Sequence, residues 1–301
     1  MKKGISILMA AILACSLFAG CGSTVSGTPS AGESSSAADS VKPEASSSNA
    51  ESKLSGNLTL TGSTSMQEVC EKLGEKFVEL HPDVNFLKNG AGSGEAPTAV
   101  MNGTAGIGDL SRVLKDSENP DQFTAVTIAL DGIAVIINKE SAVENLTQEQ
   151  IKQIYTGEIT DWSQVGGAAG AIKAIGREAA SGTRDGFESI LGIKDEAKYA
   201  VEQNATGAVI SAVSSDKSAI GYVSLANVEH TKESIKAVQV DGVTPSMDTV
   251  ADGTYKLQRP FVQIYKKGST DPLVAAWFEF LKSAQGKQII EDSGLVAQEI
   301  Q

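Results

Sequence analysis

The order of apolar patterns along this chain predicts an α/β fold with mainly parallel sheets. Three observations predict it. From Gly56 onward, short β-type runs alternate with helix-period patterns. The loops that lead from those runs into the helices are rich in glycine and hydroxyl residues. About 245 residues follow that point, enough for two modest domains with real cores.

Taken in order, Asn57-Leu58-Thr59-Leu60-Thr61 reads as a strand. A helix is expected over 65–81, where Met66, Val69, Cys70, Leu73 and Phe77 fall at helical spacing. Val84-Asn85-Phe86-Leu87 is a second strand, and a helix over 95–102 precedes Gly106-Ile107-Gly108. The long run 125–138 reads as two extended pieces broken at Asp131-Gly132. Thr147-Gln148-Glu149-Gln150 opens a helix as a capping box would. Ala171-Ile172-Lys173-Ala174-Ile175 has the length of a short buried strand, and residues 185–191 begin an apolar spacing suited to a helix. A further helix over 205–214 is followed by strands over 219–223, 235–240 and 261–265. Asp271-Pro272 starts a terminal helix with proline in its first turn. There is no internal repeat.

Ligands of such sheets bind at the carboxyl ends of strands, in the loops entering helices. Four loops there have unusual composition. They are Thr61-Gly62-Ser63-Thr64-Ser65, Asn89-Gly90-Ala91-Gly92-Ser93-Gly94, Gly108-Asp109-Leu110-Ser111-Arg112, and the stretch from Gly176-Arg177-Glu178 to Ser181-Gly182-Thr183-Arg184. The last falls at a strand-to-helix turn, where unpaired N–H donors and the helix dipole favour an anion. Gly182 permits close approach of the backbone, and Arg177 supplies a planar guanidinium suited to an oxyanion. A single such loop is ordinary turn chemistry. Four in one topological position point to an anion site.

The N-terminus places the folded part outside the cytoplasm. Met1-Lys2-Lys3 and the apolar run 5–19 form a signal segment over 1–20, too short for a permanent span of about 20 residues. Phe18-Ala19-Gly20-Cys21 resembles a bacterial lipobox, with Cys21 as the lipidated residue. Residues 21–55 then form a Ser-rich tether that cannot bury enough apolar surface to order itself. As a flexible coil it spans roughly 30 Å. With Cys21 acylated, Cys70 has no disulfide partner and reads as a small buried hydrophobe. The net charge of −12 becomes −14 when Lys2 and Lys3 leave with the signal, which counts against nucleic-acid binding. Several convergent donors, each giving about 1.5–3 kcal/mol to a charged group, outweigh that diffuse field. The two histidines, His81 and His230, lie outside the four loops. No Gly-x-Ser-x-Gly elbow, His-Glu-x-x-His, metal-ligand spacing or P-loop occurs, so no catalytic residue, metal or cofactor is expected.

The four loops, in order, resemble the ligand loops of the phosphate-binding components of bacterial ABC phosphate importers. Leu146 to Ile151 and Ile154-Tyr155-Thr156-Gly157-Glu158-Ile159-Thr160-Asp161-Trp162 are similar to that family's central helix and following turn, and Arg259-Pro260-Phe261 to a C-terminal strand. The resemblance implies a two-lobed periplasmic-binding-protein fold of type II, with two crossover strands and the ligand in the cleft between lobes. It implies a discontinuous first lobe, 56–131 plus about 248–301, and a second over about 132–247. Thr64, Ser65, Ser93, Ser111, Arg177, Ser181, Gly182 and Thr183 would line a phosphate site. The acceptor that reads the ligand's proton falls among Asp109, Glu178 and Ser111, because Ser111 stands where the best-known members have an aspartate. The protein would act as a membrane-tethered monomer on the extracytoplasmic face, serving permease subunits with a cytoplasmic ATPase. The alternatives are a carrier of another tetrahedral oxyanion such as sulfate or molybdate, a secreted phosphatase or hydrolase using the Ser181 loop, or an adhesin or sensor partner.

Overall fold

The computed structural model describes residues 53–300. The signal segment, Cys21 and nearly all of the tether lie outside the described residues. The first part of the chain runs β1 (Gly56–Gly62), α1 (Gln67–Leu80), β2 (Val84–Gly90), α2 (Ala96–Met101), β3 (Ile107–Leu110) and β4 (Phe123–Asn138). The middle runs β5 (Asn145–Leu146), α3 (Gln148–Thr156), β6 (Lys173–Arg177), α4 (Gly182–Leu191), β7 (Val201–Gln203), α5 (Thr206–Ser215) and β8 (Ala219–Ser224). It closes with β9 (Ile235–Ala237), β10 (Gln239–Val240), α6 (Met247–Ala251), β11 (Gln258–Lys266), α7 (Pro272–Lys282), α8 (Ala284–Asp292) and β12 (Val296–Ala297).

Local chemistry accounts for several boundaries. Thr147 Oγ1 accepts from the Gln150 amide at 3.1 Å while Gln150 Oε1 accepts from the Thr147 amide at 2.9 Å, so α3 starts with a reciprocal capping box. Asp271 caps α7 by accepting from the Leu273 amide at 2.8 Å, and Pro272 takes the first helical position. Strand β6 begins two residues later than the apolar run suggests, because Ala171 is bridged to Asp161 instead. That shift makes Arg177 the last residue of a strand rather than part of a loop.

Ten of the strands form one sheet in the order β2-β1-β3-β11-β4-β8-β6-β7, with β9 and β12 also on β4, and β5 and β10 pair separately. Its two flanks are parallel, β1 with β2 and β3, and β6 with β7 and β8. The centre is not. β4 runs antiparallel to β8, β9, β11 and β12, and β11 antiparallel to β3. The expected mainly parallel sheet is therefore mixed, since apolar periodicity carries no information about strand direction. The expected break at Asp131-Gly132 is absent as well. β4 is a single 16-residue strand through it. Aspartate and glycine favour a turn, but here the ladder continues on both sides: the first half pairs with β11, and the second with β8 and β9.

Two large apolar clusters flank that changeover. In one, Trp277 stacks on Phe86 at 5.5 Å and meets Phe77 edge-on at 5.4 Å, joining α7 and α1 over β1 and β2. Phe77 is fully buried, an arrangement worth about 1.5–3 kcal/mol for a side chain of this size. In the other, Phe187 of α4 stacks on Tyr222 of β8 at 4.0 Å, with Tyr155 of α3 edge-on to Phe187 at 4.8 Å. Val250, Tyr255 and Leu257 pack in this second cluster.

Candidate functional site

Parallel pairing sets the carboxyl ends of β2, β1 and β3 side by side: Gly62 is level with Gly90 on one flank and Asp109 on the other. Gly62 then ties the three outgoing loops together. Its carbonyl accepts from the amides of Ala91 and Gly92, both at 2.9 Å, while the next amide, Ser63, donates to the Asp109 carbonyl at 2.8 Å. The φ of Gly62 is +143°, and a Cβ there would overlap the Asp109 carbonyl oxygen. Only glycine fits.

Across from these loops, Ser181 caps α4 by accepting from the Arg184 amide at 3.3 Å. The amides of Gly182 and Thr183 belong to the first helical turn and have no intrahelical acceptor. Gly182 is pressed against the opposing loops so closely that a Cβ would overlap Ser93 Oγ and stand 2.6 Å from Ser111 Oγ. The hydroxyls interlock around it. Ser65 Oγ lies 2.8 Å from Thr183 Oγ1 and 3.3 Å from Thr206 Oγ1, and Thr64 Oγ1 lies 3.1 Å from Thr206 Oγ1. Ser93 Oγ accepts from the Ser111 amide at 3.1 Å and lies 3.3 Å from Ser111 Oγ. Ser65, Ser93, Ser111, Ser181 and Thr183 are each no more than 3 % exposed. This is a dry cluster of donors from two sides of the sheet.

Arg177 ends β6 beside that cluster and is fully buried. Its Nη1 donates to Thr206 Oγ1 at 3.3 Å and its Nη2 to Thr64 Oγ1 at 3.1 Å. Nε and Nη2 also fork onto Glu178 at 3.1 and 2.9 Å, and Nε reaches the Gln203 carbonyl at 3.1 Å. All eight residues named as site-lining thus come together, counting Ser181 through its cap.

The structure places the three candidate acceptors in different surroundings. Asp109 turns its carboxylate away from the hydroxyls into the protein interior. There Oδ2 stands 3.3 Å from Lys88 Nζ, and Oδ1 accepts from Gln263 Nε2 at 2.9 Å and from Cys70 Sγ at 3.8 Å. Burial pushes the Asp109 carboxyl above its ordinary range, against the pull of Lys88. Cys70 is buried in the first apolar cluster, as expected, and also touches Asp109, its thiol pushed well up by burial and by that carboxyl. Glu178 is engaged with Arg177. Of the three candidates, only Ser111 presents its side chain to the cluster.

Two participants escape a sequence reading. Thr206 opens α5 from the Asn204-Ala205-Thr206 turn after β7, a strand-to-helix turn with no glycine ahead of the helix. Arg259, on β11, donates from Nη2 to Ser65 Oγ at 3.3 Å and from Nη1 to the Ser111 carbonyl at 3.4 Å. Nothing local in Gln258-Arg259-Pro260 marks it. Arg112 is buried and spent on bracing its loop, on Glu118 at 2.6 Å and on Asp185 of α4 at 2.8 Å. His230 pairs with Glu68 at 3.0 Å, and His81 packs on Phe77. Among the described residues no cluster could hold a metal ion, and no helix is long and apolar enough to cross a membrane.

A PBP superfamily domain model matches residues 47–285. A phosphate-binding protein PstS of Bacillus subtilis is 29% identical over 263 residues, covering 86% of this chain and 87% of its own. One from Staphylococcus aureus is 31% identical over 264 residues, covering 82% and 78%. Among solved structures, a Clostridium perfringens protein described as a phosphate ABC transporter substrate-binding protein, with bound phosphate, is similar at 36% identity and a TM-score of 0.78. It is matched over its whole length and over 81% of this chain. An ABC-type phosphate transport receptor from Vibrio cholerae is 34% identical with a TM-score of 0.66, over 81% of this chain and all of its own.

Proposed function

Because the chain belongs to the PBP superfamily and, within it, to the phosphate-binding proteins of ABC transporters, we propose that it binds inorganic phosphate outside the cytoplasm and delivers it to an ABC permease. One observation carries this reading: Ser65, Ser93, Ser111 and Thr183 converge with Arg177 and the first-turn amides of α4 in a water-poor cluster. Hydroxyls and amides supply directed partial charges, and the guanidinium supplies a full one. A tetrahedral oxyanion has enough acceptor lone pairs to satisfy all of them. Ligand-lining roles fall to Thr64, Ser65, Ser93, Ser111, Arg177, Ser181, Gly182 and Thr183, with Thr206 added.

Binding is by closure of two lobes built on the two apolar clusters. β4 and β11 are the crossovers, and we set the return at Leu257–Gln258 because Val250, Tyr255 and Leu257 pack with the second cluster. The protein performs no covalent chemistry and hands its ligand to permease subunits powered by a cytoplasmic ATPase. Cys21 carries the lipid that holds it at the membrane. Cys21→Ser should release a cleaved chain into the medium; retention of a cleaved, detergent-extractable form would show that the anchor is elsewhere.

Isothermal titration of the purified protein with phosphate, arsenate, sulfate and molybdate tests the ligand. Phosphate should bind at least about a hundredfold tighter than sulfate, a difference of about 2.8 kcal/mol. Equal affinities, or no phosphate binding, would remove the assignment. Release of phosphate from a generic ester would replace it with a hydrolase.

A further inference from the structure

Arg259 and Asp131 face each other in register on β11 and β4, where β4 leaves its pairing with β11 for β8. Their side chains are 2 % and 0 % exposed. Arg259 Nε and Nη2 both donate to Asp131 Oδ2, at 3.1 and 3.0 Å, and Ser224 Oγ, at the end of β8, donates to Asp131 Oδ1 at 2.7 Å. The carboxylate is thus held from both halves of the sheet. The Phe261 ring lies 5.3 Å from the guanidinium carbon and limits its swing. The remaining edge of the guanidinium reaches the hydroxyl cluster through two long contacts, to Ser65 Oγ and the Ser111 carbonyl.

A buried ion pair is a poor device for stability, because apolar residues of similar volume often do as well or better. Two facing strand residues in a core have no packing need to be charged. We propose that Arg259 is a second guanidinium of the oxyanion site, a positioning residue that acts through Ser65, with Asp131 as its fixed counter-ion. This rests on the phosphate-binding reading above.

The geometry gives the pair a task that packing does not. Ser65 Oγ accepts from Arg259, so its single hydrogen is left to donate to one acceptor at a time, Thr183, Thr206 or a bound anion. Arg177 enters the same hydroxyl cluster from β6, through Thr64 and Thr206. Two cations this close in a dry site repel each other unless each carries its own carboxylate. Arg177 has Glu178, and Arg259 has Asp131. A multiply charged ligand then draws on both guanidinium groups, while the ligand-free protein holds no uncompensated buried charge. Because Arg259 and Asp131 sit on the two crossover strands, the charge that orients Ser65 is fixed to the hinge of the proposed closure.

The test titrates inorganic phosphate into wild type and two variants, with thermal melts recorded alongside. The double variant Arg259→Gln/Asp131→Asn removes both buried charges together. It should melt within a few degrees of wild type and bind phosphate at least about tenfold more weakly, or about 1.4 kcal/mol. A smaller loss overturns the proposal, because a pair that merely fastens β4 to β11 would be replaced by its neutral version without effect on binding. Arg259→Lys keeps the charge, should recover affinity relative to the double variant, and should still fall short of wild type. If the double variant does not fold, Arg259→Lys binding phosphate as tightly as wild type overturns the proposal, and weakened binding supports it. Wild type failing to bind phosphate would appear in the first titration and would remove the ligand assignment itself.

Discussion

A methyl group at Gly182 should act on binding and on folding with opposite signs. Gly182 is the first residue of α4, and its ideal Cβ would overlap Ser93 Oγ, stand 2.6 Å from Ser111 Oγ and 2.9 Å from Ser93 Cβ. All three obstructing atoms belong to the loops after β2 and β3, and none to the helix that carries the glycine. Alanine is the better helix former by up to about 1 kcal/mol, so Gly182→Ala should leave the unliganded melting temperature unchanged or slightly raised. Bringing the α4 terminus onto the two serines then forces an overpacked contact, and overpacking costs about 1–3 kcal/mol. Serine side chains are too short to swing clear without giving up their mutual hydrogen bonds. The expected loss in phosphate affinity is therefore roughly 5- to 150-fold, measured by isothermal titration beside a ligand-free thermal melt. Unchanged phosphate affinity would show that Gly182 does not meet Ser93 and Ser111 in the bound form. A large fall in the ligand-free melting temperature would show that the contact is permanent and not one made on closure.

Arg177→Ala should weaken phosphate binding by roughly two to four orders of magnitude, from the about 3–5 kcal/mol that follows loss of one partner of a buried charge pair. Arg177→Lys should restore only part, since an ammonium lacks the fork; wild-type affinity in the alanine variant would place the cradle elsewhere. Asp109→Asn should leave Lys88 buried and unpaired and lower the melting temperature by roughly 6–12 °C, taking about 3 kcal/mol at 2–4 °C each for a chain of this size. Lys88 Nζ also donates to the Ser63 and Asn89 carbonyls at 3.3 and 3.1 Å, and a shift of a degree or two in calorimetry would mean that these satisfy it without the carboxylate. Ser111→Ala and Glu178→Gln should each narrow the phosphate-to-sulfate ratio, the second more than the first, read by paired titrations with the two anions.

The loops were legible because their chemistry is local. Hydroxyls and glycines at the ends of apolar runs mark the carboxyl edge of a sheet, and parallel pairing of β1 with β2 and β3 then brings three of them together. The Thr147 capping box and the Asp271-Pro272 start were legible for the same reason. What the sequence hides is long-range. Asp131-Gly132 resembles a turn, and only the presence of Arg259, 128 positions later, explains a charged residue there in mid-strand. Asp109 sits in a site-forming loop, yet its side chain turns into the interior, where Gln263 waits on the adjacent β11 and Lys88 on β2, beyond β1. The direction of β4 and β11 has no signature in apolar spacing at all.

Phosphate differs from sulfate by a proton, so telling them apart needs an acceptor with an uncommitted lone pair. The two carboxylates nearest the loops are committed, Asp109 to Lys88 and Glu178 to Arg177. Ser93 Oγ already accepts from the Ser111 amide. If it also takes the Ser111 hydroxyl proton, Ser111 Oγ is left facing the ligand as an acceptor. A hydroxyl can rotate, however, and turning Ser111 into a donor for sulfate gives up one hydrogen bond, about 0.5–1.5 kcal/mol. That accounts for at most about tenfold of discrimination. The rest must come from charge. With half-buried Glu178 on Arg177 and Asp131 on Arg259, these two pairs sum to zero, and together they offer no net positive charge to favour a dianion that cannot return a proton. Glu178→Gln uncovers one guanidinium and should strengthen sulfate binding in absolute terms, whereas Ser111→Ala should mainly weaken phosphate. Sulfate binding unchanged in Glu178→Gln would mean that the hydroxyls alone choose the ligand.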